Sequence, residues 1–177
     1  MRFLVVICIG FISACTPANQ FISDGTTFSE PIFVTQIPNP AFNAFRYMHF
    51  AESTHRTELK DFIGVDPVRT EWCAAFVNAV LNETGIPGSD TVSDYPLTAK
   101  SFLYWGERVA AKDIEAGDIV VFPRGNKSWQ GHVGFYLKTI DKNGVLYYAI
   151  LGGNQDNKVS IEFFKARSAI SIQRYPS

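Results

Sequence analysis

The sequence predicts an α+β domain with helices in its first half and an antiparallel sheet in its second. Three observations predict it. Up to Tyr104, apolar residues recur at helical spacing and the segments end on glycines. From Asp118 the texture changes to short β-type runs. Between two of these runs, Asp141-Lys142-Asn143-Gly144 carries the Asn-Gly pair of a tight hairpin. Helices followed by strands, rather than alternating with them, mean helices packed on one sheet.

The elements follow in order. Phe42 to Phe50 reads as a first helix, and Thr57 to Ile63 as a second that stops at Gly64. Asp66-Pro67 opens a loop, because the residue before a proline is pushed out of the helical region. Thr70 is then the expected N-cap of a helix over Glu71 to Glu83, with Phe76, Val77, Val80 and Leu81 as its apolar stripe and Gly85 as its stop. Another helix is expected over Pro96 to Tyr104, closed by Gly106. The strands are Ile119 to Phe122, His132 to Leu137, Leu146 to Leu151, Val159 to Phe163 and Ile170 to Arg174.

The N-terminus reads as an export signal. Met1-Arg2 precedes an apolar run from Phe3 to Ile12, too short for a membrane-spanning helix and ended by Ser13-Ala14-Cys15. Ile12-Ser13-Ala14-Cys15 resembles the lipobox of bacterial lipoproteins, which implies removal of residues 1–14 and a lipid on Cys15. The expectation is an extracytoplasmic protein anchored to a bacterial membrane. A plain signal peptide is the alternative. Residues 15–40 then hold the lipidated cysteine and a tether rich in Thr, Pro, Asn, Gln and Ser, with a short edge strand possible at Ile32-Phe33-Val34. The folded domain spans residues 41–177, expected to be a monomer.

Composition narrows the partners. The chain is 46% apolar with 15 Phe, so it can build a core, and a net charge of -1 without a Lys/Arg cluster excludes nucleic acid as the main partner. With Cys8 in the signal and Cys15 lipidated, Cys73 is the lone thiol of the mature domain. As the third residue after Thr70 it sits in the first turn of a helix, where unpaired N–H groups and the helix dipole stabilise a thiolate. A small buried core cysteine is the competing reading. His132 opens a strand with a half-buried alternation, where an imidazole can face a nucleophile held by a packed helix. Asn154, in Leu151-Gly152-Gly153-Asn154-Gln155, ends the next strand, and an Asn or Gln carbonyl can fix the imidazole tautomer. Gly-Gly-Asn-Gln also suits a plain turn. Trp72, Trp129 and Tyr95 are candidates to line a substrate groove, although aromatic residues equally build cores. No metal motif is present, and neither a metal nor a cofactor is expected.

Four segments carry a family resemblance. Glu71-Trp72-Cys73-Ala74-Ala75-Phe76-Val77-Asn78 resembles the nucleophile motif of the CHAP and NlpC-type papain-like peptidases. Ala116-Gly117-Asp118-Ile119-Val120-Val121-Phe122 is similar to the strand preceding their histidine. Gly131-His132-Val133-Gly134 looks like the histidine motif, and Leu151 to Gln155 resembles the ending of one CHAP-like bacterial subgroup. The order holds across roughly residues 50–174. The resemblance implies a papain-like fold and hydrolysis of peptidoglycan amide bonds by Cys73 and His132 through a thioester. Gly152-Gly153 stand where many members carry an acidic residue, so the third catalytic residue is Asn154 first and Gln155 second. Two alternatives stay open: a non-catalytic envelope lipoprotein binding wall or a partner protein, and acyl transfer in place of hydrolysis.

Overall fold

A computed structural model describes residues 39–176. The expected signal, Cys15, most of the tether and the edge strand at 32–34 lie outside the described residues. Pro40 opens α1 (Pro40–Ala44), a position where its missing N–H costs nothing, and Asn39 caps it by accepting from the Ala41 N–H at 3.0 Å. A 3₁₀ turn over Phe45–Tyr47 follows, and His49 adopts φ 71, so the helix expected over 42–50 is cut short. The chain leaves the helix there to bond elsewhere. His49 N–H donates to the Val159 carbonyl, and Val159 N–H donates to that of Phe50.

The second helix, α2 (Arg56–Ile63), ends on Gly64 at φ 74, the left-handed C-terminal glycine the sequence predicts. The following turn is stitched back to it, since Asp66 accepts both a fork from Arg56 and the Val68 N–H. Helix α3 (Cys73–Glu83) starts two residues later than expected, with Trp72 rather than Thr70 at the cap position. Tertiary packing sets this start. Trp72 is fully buried and its indole N–H donates to Glu52 at 2.7 Å. Cys73 is therefore the first helical residue, not the third. The predicted stripe is buried, and complete burial of a side chain such as Phe76 contributes on the order of 2–3 kcal/mol. The helix expected over 96–104 is a 3₁₀ helix, Ala99–Tyr104.

Six strands form one antiparallel sheet: β1 (Glu107–Arg108), β2 (Ile119–Pro123), β3 (Gly131–Lys142), β4 (Val145–Gly152), β5 (Ser160–Lys165) and β6 (Ser171–Arg174). Their spatial order is β1-β6-β2-β3-β4-β5, so β2 to β5 meander and the last strand returns between β1 and β2. At the β3–β4 turn, Asn143 and Gly144 have φ 54 and 78, the paired left-handed residues of the expected hairpin. The Gly117-Asp118 pair proves architectural. Buried Asp118 accepts from Arg174 Nε at 2.7 Å and Nη2 at 2.9 Å, which pins the start of β2 to β6.

Helix α3 packs on β3, where Val133 and Phe135 join Phe76 and Val77 in the main core. The other face of the sheet holds a second core of Val120, Phe122, Tyr136, Tyr148, Ile150 and Ile172. The half-buried alternation expected for β3 is thus corrected. His132 through Tyr136 are all buried, because both faces of the sheet are covered.

Candidate active site

Cys73 begins α3, and the first backbone bond of that helix runs from the Phe76 N–H to the Trp72 carbonyl. The N–H groups of Cys73, Ala74 and Ala75 therefore have no acceptor within the helix. Backbone N–H groups of Ala74 and Val133 lie against the thiol, and the Arg124 guanidinium adds a positive field. All three favour thiolate. Cys73 is nevertheless only 4% exposed, and this burial outweighs them and pushes the thiol above its ordinary pKa. The net stabilisation of thiolate expected from the helix start is not what the resting site has.

Val133 is the residue after His132, so the same strand segment that meets Sγ carries the imidazole. His132 sits opposite Phe122 in the β2–β3 register and its ring stacks on Phe164, with centroids 5.2 Å apart. Its Nε2 lies 2.9 Å from Gln155 Oε1. The Gln155 amide cannot be turned round, because its NH₂ donates to the carbonyls of Ser160 at 2.6 Å and Ile150 at 3.3 Å. The oxygen must face the ring, so His132 Nε2 carries the proton and Nδ1 the lone pair. Nδ1 has no hydrogen-bond partner among the described residues, the thiol included. Burial is the main cause that lowers the imidazole pKa to about 4, opposed by the Gln155 bond and aided by the nearby Arg124 charge. At neutral pH the ring is an uncharged base.

Asn154, the residue the sequence ranked first as orienting group, is not on the imidazole. Its Nδ2 donates to Glu71 Oε2 at 2.7 Å, and its carbonyl accepts from Arg124 at 3.2 Å. The reason is backbone conformation. Asn154, Asp156 and Asn157 take φ of 54, 55 and 58, a left-handed region that Asn and Asp tolerate better than other non-glycine residues. That turn sends neighbouring side chains to different partners, which spacing alone does not reveal. The two preceding glycines have spatial reasons. A Cβ on Gly152 would lie 3.1 Å from Gln155 Oε1 and 3.4 Å from His132 Nε2, so the glutamine and imidazole fill the place an acidic residue would need. A Cβ on Gly153 would come within 2.5 Å of the Trp72 ring.

A cleft of about 440 Å³ opens over Cys73, and Glu71, Leu97, Arg124, Trp129 and Asn154 are among its lining. His132 does not line it and is only 1% exposed. Of the three aromatic candidates, Trp129 stands at the lip, 57% exposed. Tyr95 is exposed but outside the lining. Trp72 is corrected to a core residue, since its ring is enclosed by Phe76 and Gly153. Arg124, whose charge acts on both Cys73 and His132, was not foreseen; its one sequence signal is a charge directly after the apolar run of β2. No group of three His, Cys, Asp or Glu side chains gathers to hold a metal among the described residues.

No curated protein matches the chain. Among protein families, the CHAP domain matches residues 65–154, which runs from the turn before α3 to Asn154. That match covers about half of the 177 residues and takes in both Cys73 and His132, so the chain belongs to the CHAP domain family, whose domains are generally peptidoglycan hydrolases.

Proposed function

We propose that the protein cleaves a peptidoglycan amide bond, muramoyl–alanine or within the stem or cross-bridge peptide, with Cys73 as nucleophile and His132 as general base. The observation that carries this reading is the locked His132–Gln155 pair. It leaves a neutral Nδ1 without a partner on the strand segment that meets the thiol. The thiol gives its proton to Nδ1 as sulfur attacks the amide carbonyl, and the imidazolium returns that proton to the leaving amine. Water then attacks the thioester, His132 again taking a proton, and the carboxylic acid leaves with Cys73 restored. The N–H groups at the start of α3, which lack acceptors within the helix, would receive the developing oxyanion. Since no bond joins thiol and imidazole at rest, substrate binding has to close that gap, as catalytic contacts commonly tighten on binding. Trp129 is the aromatic residue assigned to substrate. Anchoring outside the cytoplasm by lipid on Cys15 completes the proposal and rests on the sequence pattern alone.

Deep burial of both Cys73 and His132 favours the second reading, a binding protein of the same fold. One experiment separates them. The full chain and its Cys73→Ala variant are incubated with peptidoglycan and the products identified by mass spectrometry. New amine and carboxyl ends from the parent alone establish the hydrolase and name the bond. No cleavage, together with a Cys73 that resists a thiol-reactive probe in the presence of wall, leaves the binding protein.

A further inference from the structure

Arg124 has more hydrogen-bonding capacity than its surroundings use. Its guanidinium offers five N–H donors, yet among the described residues it makes one hydrogen bond, from Nη2 to the Asn154 carbonyl at 3.2 Å. The nearest carboxylate oxygen, Glu71 Oε2, is 3.7 Å from Nη1, too far for a hydrogen bond, and already accepts from Asn154 Nδ2. The Asn154 contact tethers one Nη of the fork, and the side chain remains 40% exposed in the cleft that holds Cys73. A tethered, half-open guanidinium fork is shaped to take a planar anion through two parallel bonds.

We propose that Arg124 anchors a free carboxylate of the substrate beside the scissile bond, which makes it a specificity-determining residue of the site. The charges around it select for one negative charge. Glu71 and Asp156 share the same lining, so a dianion such as a phosphate monoester would meet two carboxylates for one guanidinium. A monoanionic carboxylate in register with the fork displaces only the long Glu71 contact. This inference rests on the peptidoglycan reading, since wall peptides carry such carboxylates on either side of an amide bond.

The test is calorimetric binding of synthetic stem peptides to the full chain carrying Cys73→Ala, which removes turnover. Each peptide is prepared with its free carboxylates amidated one at a time, on the acyl side and on the amine side. The expected result is a loss of about 10- to 100-fold in affinity when one particular carboxylate is amidated, the size of a charge-assisted pair. Adding Arg124→Gln should abolish the preference for that carboxylate, and Arg124→Lys should keep part of it. Identical discrimination by the Gln variant, or equal weakening toward free and amidated peptides, would overturn the subsite while leaving the hydrolase reading intact. Failure of every stem peptide to bind the Cys73→Ala chain would overturn both.

Discussion

At the scale of single residues, Cys73 and His132 are both held uncharged, and the cause is burial. His132 titrates near pH 4 rather than near its usual 6.5, so it stays a base well into the acid range. The acid limb of kcat/KM should therefore fall near pH 4, and a limb near 6.5 in a pH–rate profile would contradict this account. The same shift affects stability. An imidazole that binds its proton at about 4 when folded and near 6.5 when unfolded holds fewer protons in the native state. Its stabilisation is complete above pH 6.5 and is lost as pH falls toward 4, by about 3 kcal/mol in all. Urea unfolding at pH 7 and 4.5 should show this loss in the parent and not in His132→Gln. Gln155 and Asn154 offer a contrast between neighbours. Gln155→Ala removes the acceptor that fixes the tautomer and should lower kcat about 10²-fold or more, with about 1–3 kcal/mol of stability lost from the orphaned ring N–H. Asn154→Ala breaks the Glu71 link and strains a left-handed backbone position by about 1–2 kcal/mol, and should still cost less than about tenfold in kcat. Equal effects of the two changes would mean that the Gln155 bond does not orient the base.

At the scale of elements, the site depends on where α3 starts and how the β4–β5 turn meets it. Gly153 lies at that junction, with a substituted Cβ 2.6 Å from Phe76 Cβ and closer still to Trp72. Gly153→Ala should push the turn off the helix, destabilise the protein by about 1–3 kcal/mol and reduce turnover by moving Gln155 with it. A crystal structure and melting curve of the variant check both parts. Unchanged stability would show that helix and turn are less tightly joined than the packing indicates. The elements also show what the sequence could and could not tell. Gly64, Gly85 and the Asn143-Gly144 pair mark boundaries through backbone sterics, which are local, and each stands where expected. The start of α3 was missed because it is set by Trp72 and Glu52, 20 residues apart in the chain. The choice between Asn154 and Gln155 was missed for a similar reason. It depends on three left-handed residues and on Ser160 holding the glutamine amide, none of which leaves a periodic trace. Cys73 and His132 stood out because a helix start and a strand start are readable positions.

At the scale of the whole molecule, the proposed anchor turns chain length into reach. If Cys15 carries lipid, residues 16–39 separate the membrane from α1, and 24 residues cannot extend beyond roughly 85 Å in any conformation. The cleft would then find substrate only in the wall layer within that distance, where the local concentration is high because the enzyme cannot diffuse away. This predicts a separation between two activities. Deleting residues 20–34 removes 15 of the 24 and reduces the limit to roughly 30 Å. In cells, release of wall fragments should fall, while purified parent and deletion proteins should cleave a soluble wall peptide at the same rate. Cys15→Ser should abolish incorporation of labelled fatty acid and free the protein from the membrane fraction, again without changing the soluble rate. If the deletion protein releases wall fragments as fast as the parent in cells, the tether does not set the reach. If Cys15→Ser leaves the protein in the membrane fraction with its label, the anchor is elsewhere and the length argument from residue 15 falls with it.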